Sequence, residues 1–269
     1  MRLPEDFKIG LTLSGGASYG IAHIGVIKAL REYGIEPQYL YGTSAGAIAA
    51  VLYSGGASIR DMRQFSKTNQ LKKLIRLTYP RLGFSSMDPL EKRLEEYTPF
   101  DNLEELPRKT FVGVTNLETG KHETFSEGPI GRIVAASCAV PVFFQPIEIN
   151  DQLYLDGGVS NNMPAKLLRK HCDLIIGSDV VKTGRLNRKR IKSVGKLLER
   201  TLTISLAHRT VSNYPDCDFV FQLSGLGRYG KFDFSKVDQF VEIGYRQALK
   251  TLPDFLDVVR EKLLQKEGK

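Results

Sequence analysis

The sequence has no tryptophan, three cysteines and four histidines in 269 residues, and each scarcity narrows the chemistry open to it. Cys138, Cys172 and Cys217 are odd in number and widely spaced, with no Cys-x-x-Cys pair. That pattern argues against a disulfide framework or a zinc site and suits reduced thiols packed in a cytoplasmic protein. There is no acidic calcium loop and no His/Cys cluster, so no metal and no other cofactor is expected. The opening MRLPEDFKIG lacks the apolar stretch of a secretory leader. No run reaches the roughly 18 apolar residues of a membrane span. The expectation is a cytoplasmic protein that meets a membrane only peripherally.

Charge is present but unevenly placed. The net charge is +8. Residues 60–81 set seven Lys/Arg against Asp61, and residues 182–200 set eight against Glu199. The remainder is mildly acidic. Two basic segments on such a body suit an anionic surface, either lipid headgroups or nucleic acid, and two solvated faces explain them equally well. Nothing resembles a zinc finger, an RNA-recognition motif or a basic zipper, so nucleic acid is not expected as a partner. Within residues 70–84, QLKKLIRLTYPRLGF, the cations Lys72, Lys73 and Arg76 are interleaved with Leu, Ile, Tyr and Phe and no acid. That composition fits contact with an anionic membrane surface, or a lid. A solvated helix-loop packed by its apolar side fits it as well.

Alternation of strand and helix patterns runs through the chain. Apolar strands are expected at 8–14, 39–41, 110–117, 146–149, 152–155, 172–180 and 219–223, with 121–126 as a hairpin partner. Helices are expected over 20–33, 45–55, much of 59–99, 130–138, 193–212, 235–250 and 254–266. Near-continuous apolar strands between helices imply an α/β fold, a sheet covered by helices on both faces. No linker or repeat divides residues 1–269, so one domain is expected.

Residues 42–46 read Gly-Thr-Ser-Ala-Gly between a strand and a small-residue helix. A serine on such a sharp turn takes strained dihedrals and projects its hydroxyl, and Gly42 and Gly46 avoid collisions there. Ser44 is therefore the candidate nucleophile, with a helix N-terminus behind it. Its base is less obvious. His23, His122, His171 and His208 all lack the turn context of a late triad histidine. Asp156, at a strand end before Gly157 and Gly158, is the alternative. With nothing bulky after it, it can approach another loop closely, and burial would raise its pKa toward that of a useful base. Alone, Asp-Gly-Gly is also a common turn.

Taken in order, SGGASYG, GTSAG and DGG make the chain resemble the patatin-like phospholipase family. HIGVIKAL, ASCAVPVFF, LYLDGGVSNNMP and FDFSKVDQFVEIGYRQAL carry the resemblance across about residues 8–250. It implies a three-layer α/β/α fold with a central, mostly parallel, mixed sheet, related to acyl-carrier-protein transacylases and cytosolic phospholipases. It also implies a Ser44–Asp156 dyad, with Ser44 as nucleophile and Asp156 as general base. The implied activity is hydrolysis of lipid carboxylic esters, phospholipid or lysophospholipid, through an acyl-serine. Acyl transfer by the same dyad is an alternative, and so is a silent lipid-binding protein.

The glycine loop SGGASYG does not fit G-x-G-x-x-G, and no Gly-Lys-Ser/Thr makes it a Walker A loop. An oxyanion hole built from the N–H groups of Gly15, Gly16 and Ala17, closed by Gly20, is the better account. Tyr19 departs from the family, which carries Arg or Lys just before the last glycine, and Ser14 stands where relatives have the first glycine. Backbone donors survive both changes, so activity is expected to persist.

Overall fold

The computed structural model describes residues 3–67 and 85–267, apart from 182, 185, 187, 189 and 190. The segment carrying Lys72, Lys73 and Arg76 lies outside the described residues. In chain order the strands are β1 (Ile9–Leu13), β2 (Tyr39–Thr43), β3 (Lys109–Asn116), β4 (His122–Phe125), β5 (Ile147–Ile149), β6 (Gln152–Asp156), β7 (Leu174–Asp179) and β8 (Phe219–Gln222). The described α-helices are α1 (His23–Glu32), α2 (Ala45–Ser54), α3 (Ile59–Ser66), α4 (Asp88–Glu95), α5 (Ile130–Ser137), α6 (Val194–Val211) and α7 (Val237–Glu267).

The described strands form one eight-stranded mixed sheet in the order β5-β6-β3-β2-β1-β7-β8, with β4 also on β3. From β3 to β8 the neighbours run parallel, and β4, β5 and β6 join antiparallel. This is the helix-flanked sheet that the apolar strands lead one to expect, mostly parallel and mixed as the resemblance implies. Side-chain alternation divides two faces. Leu40, Val112, Leu174 and Ile176 enter the large core beneath α1, α2 and α7. Tyr41, Phe111 and Ile175 face the other way, into a smaller cluster with Leu168 and Cys172.

One feature of the register positions the site. β4 pairs with Val112 and Gly113, which also pair with β2, and with Val114 and Thr115, which also pair with β6. A strand has two edges, so β2 and β6 lie end to end along the edge opposite β4. Thr43 stands across from Gly113, and Asp156 across from the next residue, Val114. The carboxyl ends of β2 and β6 therefore meet head to head, with Ser44 just beyond one and Asp156 closing the other.

Two expected elements differ in form. The helix expected from residue 20 opens as a 3-10 turn, Ala17–Ala22, before α1 begins. The two closing helices are one, because α7 runs through Pro253. Val241, Ala248, Leu252, Phe255 and Val259 form one buried stripe along it, and Pro253 is on the exposed side. Continuous burial of that stripe outweighs the roughly 3 kcal/mol that an interior proline costs a helix.

Candidate active site

Ser44 sits between β2 and α2 with φ 53 and ψ −126, a left-handed backbone that a non-glycine residue adopts only under constraint. The constraint is close packing. A Cβ on Gly42 would come within 2.4 Å of the Ala47 Cα, and one on Gly46 within 2.2 Å of the Leu13 carbonyl oxygen. The Ser44 N–H donates to Ser137 Oγ at 2.8 Å, and that hydroxyl donates onward to the Gly113 carbonyl at 2.7 Å. The turn is thereby fixed to β3 and α5.

The Ser44 hydroxyl donates to Asp156 Oδ2 at 2.6 Å. The other carboxylate oxygen accepts the Gly158 N–H at 2.8 Å. Both side chains are almost fully buried. Burial raises the Asp156 carboxyl to about 6, against the lowering effect of those two hydrogen bonds. Such a carboxylate is ionised at neutral pH yet basic enough to accept a proton. Gly157 lets this end of β6 come in, since a Cβ there would be 2.2 Å from the Gly113 oxygen.

None of the four histidines hydrogen-bonds to Ser44. His23 is fully buried, with Nε2–H donating to the Ser14 carbonyl at 2.9 Å and Nδ1 accepting from Ser178 Oγ at 2.8 Å. Burial holds its pKa down to about 4, so the neutral ring braces the start of the glycine loop. His122 contacts Tyr41 and Ser160 at 2.9 and 3.0 Å. His171 stacks on Tyr39 and Phe111, and His208 is exposed on α6.

The glycine loop leaves β1 and passes beside Ser44. Gly15 N–H already donates to the Asn162 carbonyl at 3.3 Å. Gly16 and Ala17 N–H groups meet no acceptor among the described residues, so they are the donors open to an oxyanion. Ala17 is held at φ 52. Gly20 lies against α2, where a Cβ would be 2.4 Å from the Ala45 Cβ. Tyr19 points away from the serine. Its hydroxyl donates to the Tyr229 carbonyl at 2.6 Å and its ring packs edge-on against Phe240. With Ser18 N–H on the Lys231 carbonyl at 2.9 Å, it ties residues 229–231 to the loop. The tyrosine has a structural task here.

Two cavities meet at Ser44. The first, about 850 Å³ with its open mouth, is walled by apolar side chains that include Ile24, Ile48, Leu52, Phe65 and Leu90. The second, about 800 Å³, reaches Asp156 and is lined by α6 and by Lys231, Arg209 and Glu199. Lys231 Nζ donates to Thr203 Oγ1 at 2.8 Å, and burial brings its ammonium down to about 8. Buried Cys138 lines the apolar cavity, and its thiol is raised well above the usual range by burial and the nearby Asp156 charge. Among the described residues no cluster of His, Cys, Asp or Glu could hold a metal ion, and no helix is long and apolar enough to cross a membrane.

Three residues of this site had no assigned role from sequence. Ser137 and Asn162 lie inside ASCAVPVFF and LYLDGGVSNNMP, and their place in those motifs was the available signal. Asn162 Nδ2 donates to the Gly15 carbonyl and to Thr210 of α6 at 3.3 and 2.8 Å. Lys231, a lone cation in an irregular stretch, gives no sequence signal at all.

The model of the patatin-like phospholipase family matches residues 11–169. The chain is 26% identical over 272 residues to lysophospholipase nte1 of Emericella nidulans, aligning 88% of this chain with 18% of that protein. It is 30% identical over 173 residues to an uncharacterized NTE family protein of Mycobacterium tuberculosis, covering 63% of this chain and 48% of the other. The chain thus spans less than a fifth of the fungal relative and about half of the mycobacterial one. Among solved structures, VipD from Legionella pneumophila superimposes with a TM-score of 0.52 at 18% identity, over 93% of this chain and 67% of that one. Human GIVD cytosolic phospholipase A2 gives 0.53 at 11% identity, over 97% and 61%. The fold is shared with both, and by its sequence over most of the sheet and both ends of the Ser44–Asp156 contact the chain belongs to the patatin-like phospholipase family.

Proposed function

We propose that the chain hydrolyses carboxylic esters of lipids through an acyl-serine intermediate, with Ser44 as nucleophile and Asp156 as general base. The observation that carries this reading is the 2.6 Å hydrogen bond from Ser44 Oγ to a buried carboxylate at the meeting point of two cavities. As Oγ attacks the ester carbonyl carbon, its proton passes to Asp156. Negative charge grows on the former carbonyl oxygen, and the N–H groups of Gly16 and Ala17 receive it, aided by the N-terminus of α2. Collapse expels the alcohol, which takes the proton from Asp156. Water then attacks the acyl-serine with Asp156 again as base, the bond to Ser44 Oγ breaks as that oxygen takes the proton back from Asp156, and the fatty acid leaves.

The apolar cavity suits one acyl chain, and the second cavity suits the glycerol side, where Lys231 and Arg209 can meet a phosphate. The name lysophospholipase borne by the fungal relative fits a substrate with a single acyl chain. A fluorophosphonate probe tests the serine directly. Labelling should vanish in Ser44→Ala and slow strongly in Asp156→Asn, with fatty acid release from a lysophospholipid following the same order. A folded protein that neither labels nor releases fatty acid refutes the reading. Added glycerol separates transfer from hydrolysis, because an acyltransferase would yield acylglycerol in place of free acid.

A further inference from the structure

Helix α6 has two working faces. Glu199, Leu202, Thr203, Leu206 and Arg209 line the second cavity. On the opposite side Val194, Leu197, Ile204 and Val211 are 83, 54, 40 and 54% exposed. Their spacing of three and seven residues puts them in one stripe along the helix. Single exposed aliphatics are ordinary, but four on one face of one helix, with exposed Thr201 and His208 between them, mark a surface that meets something.

Two further features bear on it. Val142 is 46% exposed and held at φ 75, a left-handed conformation costly for a β-branched residue. It lies between Pro141 and Phe143, which line the same cavity. Among the described residues, Arg188, Lys192, Lys196 and Arg200 lead into and along the first turns of α6 against Glu199, and that acid is itself paired with Lys196 at 2.6 Å. Apolar side chains flanked by cations match a bilayer of anionic lipid, whose acyl region takes the former and whose headgroups take the latter. A symmetric dimer through this stripe would instead face one basic segment with its own copy.

We propose that the outward face of α6, together with exposed Val142 between the cavity-lining Pro141 and Phe143, rests on an anionic lipid surface, so that substrate passes from the bilayer to Ser44 along the cavity that α6 walls. The proposal rests on the lipid-ester reading, but its test needs no turnover.

Co-sedimentation of the Ser44→Ala chain with phosphatidylcholine vesicles, with and without phosphatidylserine, measures the contact. Binding should be stronger with phosphatidylserine and fall as salt is raised. Adding Val194→Asp and Leu197→Asp should weaken partitioning onto the anionic vesicles about tenfold. Val211→Asp, at the far end of the stripe, should weaken it in the same direction. Leu264→Asp places the same charge on an apolar position of α7 that is 68% exposed, and should have little effect. The proposal is overturned if the α6 variants bind as tightly as their parent or if Leu264→Asp weakens binding as much. A dimer that the α6 substitutions dissociate would overturn it too, by showing that a second copy covers the stripe.

Discussion

Ser137 stands directly behind Ser44, its hydroxyl accepting the Ser44 N–H at 2.8 Å while donating to the Gly113 carbonyl at 2.7 Å. One fully buried hydroxyl thus satisfies two backbone groups and holds the elbow to β3. Ser137→Ala leaves both without a partner, at a cost of about 1–3 kcal/mol. We expect a melting temperature several degrees lower. We also expect kcat to fall about tenfold with KM little changed, since the nucleophile is displaced and the cavities are not. Thermal unfolding and steady-state kinetics on one ester check both. A variant that loses stability but keeps its kcat would assign Ser137 to folding alone.

Asp156 couples activity to stability with opposite signs. Burial puts its folded-state pKa at about 6, above the model-peptide value of 3.8. The folded protein therefore holds this proton more tightly than the unfolded chain. The resulting stabilisation is complete below about pH 4 and lost as pH rises through about 6. At neutral pH the buried charge is a burden, which Asp156→Asn removes. We expect Asp156→Asn to unfold at a higher temperature than wild type at pH 7.5, by on the order of 2 kcal/mol of stability. Its turnover should drop by about 10²–10⁴. Equal melting temperatures at pH 7.5 would mean that the carboxylate is solvated better than its burial implies.

The sheet and the elbow are legible in the sequence because local signals state them. The apolar runs around Leu11, Leu40 and Ile175, short and bounded by turn residues, read as buried strands, and Gly42 and Gly46 announce close packing around Ser44. What joins Ser44 to Asp156 is not local. It follows from β2 and β6 sharing one edge of β3, a register set by pairings about 70 and 40 residues apart, which no short window contains. Pro253 misleads for a related reason. Its local penalty is real, yet burial of Leu252 and Phe255 on the far side of the helix outweighs it. Lys231 is placed by hydrogen bonds from Ser18 and Tyr19, and those bonds exist only once the fold does.

The apolar cavity should set acyl chain length. Ala49 lies on α2 one turn beyond Ala45 and lines that cavity. Ala49→Phe adds a ring to the wall without touching Ser44 or the loop donors. We expect kcat/KM for long-chain esters to fall by at least about tenfold while short-chain esters are favoured in relative terms. A series of p-nitrophenyl esters from acetate to palmitate reads this as a ratio. An unchanged ratio would place the acyl chain in the second cavity.

The pH dependence should differ between neutral and phosphate-bearing substrates. Asp156 must be ionised to act as base, so kcat/KM for any ester rises as pH passes about 6. Lys231, brought down to about 8 by burial, carries its charge at neutral pH and loses it above that. A neutral ester such as a monoacylglycerol has no use for this charge, so its profile should rise through about pH 6 and then stay level. A lysophospholipid, whose phosphate would lie near Lys231, should show a bell that descends through about pH 8. Lys231→Met should remove the descending limb and lower the ratio of lysophospholipid to monoacylglycerol kcat/KM, whereas Lys231→Arg should restore the ratio and carry the plateau to higher pH, because a guanidinium does not titrate there. If both substrates fall together above pH 8 in the wild type, the titrating group serves the chemistry common to both esters and Lys231 has no part in choosing between them.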